Sequence, residues 1–330
     1  MAQYLVTGAA GFVGSALVRA LLERGERVRG FDNFETGRRE NLRDVLSQID
    51  FREADLLDLD AVTSACTGVD YVLHQAAVPS VPKSVADPAR SNRVNVDGTV
   101  NLLIAARDGK VKRVVYAASS SAYGDTPTLP KREDMMASPI SPYAVSKLAG
   151  EMYMKSFYRV YGLPTVSLRY FNIFGPRQDP TSQYSAVLAK FITQMLRGER
   201  PTIYGDGEQS RDFNYIDNAV AANLLAATAP EAEVAGEMFN IATGHRFSLN
   251  ETFQLLKPMT GYTGDVDYAP ERAGDVKHSL ADISRAAQKL NYRPLVDFKQ
   301  GLERTVAWYR MAESAPQGQF AAKTQSVSRG

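Results

Sequence analysis

The stretch VTGAAGFVGSAL, Val6 to Leu17, constrains this chain more than any other. It follows the short apolar run QYLV and opens SALVRALLERG, whose apolar residues recur at helical spacing, so strand, tight turn and helix must follow one another here. Gly8, Gly11 and Gly14 divide the labour of such a turn. The first permits the tight bend, the second lets a pyrophosphate approach the backbone, and the third lets the helix pack closely on the sheet. Free amides at the helix start, beside Phe12 and Val13, supply an anion site. Asp32 ends the next apolar run, RVRGFDN, at the separation where a carboxylate accepts hydrogen bonds from an adenosine ribose. With Asn33 beside it, a 2'-phosphate would meet negative charge, so NAD is expected over NADP. Arg38 and Arg39 leave this open, because they could reach a phosphate or simply solubilise the following helix.

Short apolar strands then alternate with amphipathic helices: DFREADL, DYVLHQAA, the helix in NVDGTVNLLIAARD, and VKRVVYAASS. This rhythm predicts an α/β fold, a Rossmann-type doubly wound parallel sheet with ligands beyond the carboxyl ends of its strands. Asp55 and Leu56 are expected at the adenine. Gln75, Ala76 and Ala77 are expected along the pyrophosphate and ribose, and Asn95 either pins a turn or the cofactor or merely starts a helix. After LPTVSLRYFNIFGP the rhythm loosens, which predicts a smaller substrate-binding α/β lobe. Residues 1–172 are assigned mainly to the NAD-binding domain and 173–310 mainly to the nucleotide-sugar-binding region. Because FNYIDNAVAANLLAATAP and GEMFNIATG resume a helix and a strand, that lobe is expected to be interlaced with the sheet. Residues 311–330 read as a flexible tail.

Composition excludes several classes of function. A formal charge of +1 offers no field for nucleic acid, and no stretch is long and apolar enough for a membrane span. Cys66 is the sole cysteine and the three histidines are scattered, so neither a disulfide framework nor a metal is expected. The first residues lack the pattern of a secretory leader, which makes a cytoplasmic location the expectation.

SPYAVSKLAGEMY, Ser141 to Tyr153, carries the reacting groups. Tyr143 and Lys147 are four residues apart, on one face of a helix, where an ammonium favours a phenolate and lowers the tyrosine from its ordinary pKa of about 10. Ser119, Ser120 and Ser121 end the preceding strand, and a hydroxyl there can orient a substrate hydroxyl and relay its proton. The hydrolase elbow GxSxG and a matched histidine and acid are missing.

VTGAAGFVG, SSSAYG, SPYAVSK, LRYFNIFGPRQDP, GDGEQSRDFNYI and RAGDVKHSLADISRA, in this order, make the chain resemble the extended short-chain dehydrogenase/reductase family over nearly all of residues 1–310. Within that family it looks most like the nucleotide-sugar 4-epimerases. The resemblance implies that Tyr143 is the base, Lys147 its partner and a ribose ligand, and Ser119 the contact to the substrate hydroxyl, with Ser120 and Ser121 nearby. It places Tyr170 at the nicotinamide, Asn172 at the sugar-nucleotide diphosphate, and Arg211 and Arg272 as a clamp on that diphosphate. Thr202 and Tyr204 would contact the uracil or ribose and Asp275 the uridine ribose, with Ser80 also at the substrate. The run from Tyr184 to Phe191, including Val187 and Leu188, would form a wall. NAD would be tightly bound and recycled, the substrate a UDP-sugar, and the assembly a homodimer; polysaccharide biosynthesis would be the setting. Sugar 4,6-dehydratases carry acids where this chain has Ser120 and Ser121, and glucuronate decarboxylases a glutamate nearby. Ser279 stands where plain-hexose epimerases carry a tyrosine, which implies room for the N-acetyl sugars UDP-GlcNAc and UDP-GalNAc beside UDP-Glc and UDP-Gal. UDP-glucuronate is the rival substrate.

Overall fold

The computed structural model describes residues 1–181, 187–271 and 277–314. Strands β1 (Gln3–Thr7), β2 (Arg27–Asp32), β3 (Asp50–Glu53), β4 (Tyr71–His74), β5 (Arg113–Ser119) and β6 (Thr165–Tyr170) join the strand Glu237–Ile241 in one seven-stranded sheet. Every pairing in it is parallel, in the order Glu237–Ile241, β6, β5, β4, β1, β2, β3. The fold is therefore the Rossmann-type doubly wound sheet expected from the sequence.

Both faces of the sheet are buried, which the alternation of side chains along each strand requires. Val72 and Val114 enter one core while their neighbours Leu73 and Val115 enter the other. On one side pack α1 (Phe12–Glu23), through Leu17 and Leu21, and the helix Ile216–Thr228. On the other lie α2 (Leu59–Cys66), then, beyond the short α3 (Val81–Ala86) and α4 (Pro88–Asn92), α5 (Gly98–Asp108) and α6 (Pro142–Tyr161). Chain order reverses between β1 and β4, whose last residues Thr7 and His74 are register partners. A crevice at the carboxyl ends of strands opens at such a switch point.

After β6 the chain builds a third core around Phe174, Phe191, Phe213, Phe253 and Phe298, framed by three two-stranded pairs. It then returns through the helix Ile216–Thr228 and the strand Glu237–Ile241, which pairs with β6. The last helix, Phe298–Ser314, includes the first four residues of the stretch read as tail. No helix among the described residues is long and apolar enough to cross a membrane.

Candidate active site

A cavity of about 1790 Å³ runs from the glycine turn across the ends of β1, β4, β5 and β6 into the second lobe. The glycines fit a dinucleotide for definite reasons. Gly8 has φ of +67°, and a Cβ there would lie 2.7 Å from the Ala76 nitrogen; a Cβ on Gly14 would lie 2.0 Å from the Gly8 carbonyl oxygen. Only a bare backbone lets β4, the turn and α1 approach this closely. Gly11, Phe12 and Val13 line the cavity beside them.

Asp32 ends β2 almost fully buried, accepting hydrogen bonds from the Ala10 and Phe34 amides at 2.9 and 2.7 Å. Burial pushes its carboxyl up, and the two amides pull it back. A carboxylate offers about four lone-pair sites, so acceptor capacity remains for a ribose. Asn33 donates to Asp55 at 2.9 Å, and both line the cavity with Leu56, Gln75, Ala76 and Ala77. The two arginines left open by the sequence are engaged elsewhere: Arg38 pairs with Asp179, and Arg39 with Glu53 at 2.7 Å while stacking over Phe34. This arrangement fits NAD, since neither guanidinium is held for a 2'-phosphate.

Asn95 differs from the cofactor contact offered for it. Its amide accepts from the Val78 nitrogen at 2.7 Å and donates to the Ser146 hydroxyl at 2.9 Å, and it is buried behind the cavity wall. It pins the turn after β4 against α6. His74 is likewise behind the wall, between the hydroxyls of Thr7 and Thr99, and burial holds it neutral.

The start of α6 is locally determined. Ser141 caps it by accepting from the Ala144 nitrogen at 3.2 Å, Pro142 occupies the first turn, and the Tyr143 nitrogen donates to the Ser84 hydroxyl at 3.0 Å. Tyr143 and Lys147 thus face the end of β5, where Ser119, Ser120 and Ser121 line the same cavity. Ser121 donates its hydroxyl to the Ser119 oxygen at 2.8 Å. Of the three serines, Ser119 is the one whose hydroxyl acts on the Tyr143 phenol.

The electrostatics depart from the simple expectation. Burial pushes the Tyr143 phenol up, with the Ser119 hydrogen bond pulling the other way. Lys147 is pulled down to about 7 by burial, its ammonium donating to the Ala117 carbonyl at 2.8 Å. Helical spacing brings the two side chains to one face, but the lysine head is held by β5.

Tyr170 is fixed by a residue that sequence reading missed. Asn223, on the helix Ile216–Thr228, donates to the Tyr170 hydroxyl at 2.6 Å and accepts from Gln75 at 3.1 Å. Lone asparagines carry no motif, so only the fold reveals it. Ser80, Tyr170, Asn172, Val187, Leu188, Thr202, Tyr204, Arg211 and Ser279 all reach the cavity. Asn172, at φ +25°, donates to the Ser279 hydroxyl at 3.1 Å. Arg272, Asp275 and Tyr184 lie outside the described residues. Among the described residues no group of three or more His, Cys, Asp and Glu gathers as for a metal.

The model of the NAD dependent epimerase/dehydratase family matches residues 4–242. The chain belongs to this family. A relative in Methanocaldococcus jannaschii, a putative UDP-glucose 4-epimerase, is 38% identical over 93% of this chain and 98% of its own. Two solved members of similar shape are a UDP-N-acetylglucosamine 4-epimerase from Methanobrevibacter ruminantium and a UDP-glucose 4-epimerase from Thermotoga maritima. The first is 42% identical with a TM-score of 0.89, covering 94% of this chain and 98% of that one. The second is 39% identical with a TM-score of 0.89, covering 94% and 99%. The cofactor of the family, NAD, is the one that the dinucleotide end of the cavity fits.

Proposed function

We propose that the chain interconverts UDP-hexoses at carbon 4, with UDP-GlcNAc and UDP-GalNAc as the preferred pair and UDP-Glc and UDP-Gal also accepted. The observation that carries this reading is a single cavity lined by Ser119, Tyr143 and Lys147, by the glycine turn with Asp32, and by a polar second lobe. Relatives named as 4-epimerases support it. Bound NAD supplies the hydride acceptor and donor at carbon 4. The Tyr143 phenolate takes the 4-hydroxyl proton as the hydride leaves, so carbon 4 becomes a carbonyl; Ser119 orients that oxygen, and Lys147 favours the phenolate. Asn172 and Arg211 would hold the diphosphate while the hexose turns, and Tyr143 returns the proton after hydride returns to the opposite face. Ser120 and Ser121 put no carboxylate beside Ser119, which favours epimerisation over 4,6-dehydration or decarboxylation.

Ser279 supports the N-acetyl preference. Its nitrogen donates to the Ser210 carbonyl at 2.9 Å and its hydroxyl accepts from Asn172, so a short side chain is fixed at the cavity wall. Ser279→Tyr should lower kcat/KM for UDP-GlcNAc and UDP-GalNAc by about tenfold or more while plain hexoses lose much less. Equal losses on both classes would indicate general damage, and a wild-type preference for UDP-glucuronate would overturn the substrate assignment.

Assembly follows from α6. Val145, Met152, Tyr153, Val160 and Tyr161 are all exposed, and Val145, Met152 and Val160 recur at seven- or eight-residue spacing along one side of the helix. This stripe, with α5 beside it, suits a homodimeric four-helix interface. Light scattering should give twice the chain mass, and Val160→Glu should halve it; a wild-type monomer at all concentrations would count against the dimer.

A further inference from the structure

One turn beyond Lys147, the same face of α6 carries Glu151, and both are buried, at 4% and 3% exposure. The Glu151 carboxylate accepts two hydrogen bonds from Arg169 of β6, from Nε at 2.8 Å and Nη2 at 2.7 Å. The guanidinium carbon stands 4.5 Å from the centroid of the Tyr123 ring, and the Tyr123 hydroxyl donates to Asn240 at 2.7 Å. Arg169 Nη1 is buried with no hydrogen-bond partner among the described residues.

A buried ion pair of this kind is poorly explained by stability. Apolar residues of similar volume often do as well, and an unpartnered N–H adds to the cost. Its position explains it better. Tyr143 lies one turn before Lys147 and Glu151 one turn after it on the same helix, Tyr116 of β5 has its ring centroid 4.8 Å from Nζ, and neutral His74 of β4 feels the charge of Lys147. Glu151 is the group among these that favours the ammonium, against the pull of burial. Glu151 itself is pushed towards the neutral acid by burial, and Arg169 opposes that push.

We propose that the Glu151–Arg169 pair is a positioning device for the reaction: Arg169 keeps Glu151 a carboxylate, and Glu151 holds Lys147 as the ammonium that Tyr143 needs. This rests on the reading of Lys147 as the electrostatic partner of Tyr143. Neither Glu151 nor Arg169 lines the cavity, so both act through Lys147.

The test is an NMR titration of protein labelled at lysine Cε and Nζ, with the Lys147 signal assigned by its loss in Lys147→Met. In Glu151→Gln, Lys147 should lose its proton at least about one pH unit below wild type, a tenfold change in its ionisation constant. The alkaline limb of kcat/KM should move down with it. Should Glu151→Gln fail to fold, the double variant Glu151→Met/Arg169→Met removes both charges together and should shift Lys147 in the same direction. A Lys147 titration that stays put in either folded variant, with only kcat or Tm reduced, would overturn the proposal and leave the pair a structural one. Full activity in Lys147→Met would overturn the parent reading instead, an outcome that the titration keeps separate.

Discussion

Tyr143→Phe should lower kcat by about 10³-fold, within the range of about 10² to 10⁴ that a positioned acid or base contributes. The substitution keeps the ring and removes the atom that receives the proton. Its backbone anchors, the Ser141 cap and the bond to Ser84, do not involve the hydroxyl, so the fold and cofactor binding should persist. Wild-type activity should also fall as the pH falls. Burial raises the phenol, and a base with a raised pKa stays protonated further into the alkaline range. Full activity in Tyr143→Phe, with NAD still bound, would remove its role as base.

Lys147→Met should cost about two orders of magnitude in kcat, yet leave the protein more stable, raising Tm by about 2 °C near pH 6. The folded protein holds this amine down to about 7 from an ordinary 10.5. Between these values the unfolded chain binds the proton more tightly, so wild-type stability rises with pH across the window. Below about 7 the full cost of burying an ammonium is present. The advantage of the methionine variant is therefore largest in acid and shrinks through the range from 7 to 10.5. The lost bond to the Ala117 carbonyl and contact with Tyr116 offset part of it. Calorimetry across pH 6 to 10 with parallel turnover measurements would check both halves; a variant less stable than wild type at pH 6 would show that the lysine is held for packing.

The features legible in the sequence were those with local periodicity. Strand and helix rhythm, the glycine spacing, Asp32 at a strand end and the four-residue step from Tyr143 to Lys147 each follow from a short window, and the fold keeps them in register. What stayed hidden depends on distant segments meeting. Asn223 reaches Gln75 across 148 positions, and Arg38 finds Asp179 across 141. The sequence could suggest that Asn95 bonds something but could not show that Val78 and Ser146 use its amide. Nor could spacing alone reveal that Lys147 donates to β5, or that Arg169 stands behind Glu151.

In the proposed reaction one hydride leaves carbon 4 and comes back to it. The most direct measurement incubates the purified protein with UDP-GlcNAc deuterated at carbon 4 and follows the product by mass spectrometry and NMR, with absorbance recorded for NADH. Interconversion to UDP-GalNAc with the deuterium retained at carbon 4, and no stoichiometric NADH, is the expected result. Loss of the label to solvent, accumulation of NADH with a keto sugar, or a dehydrated product would contradict it.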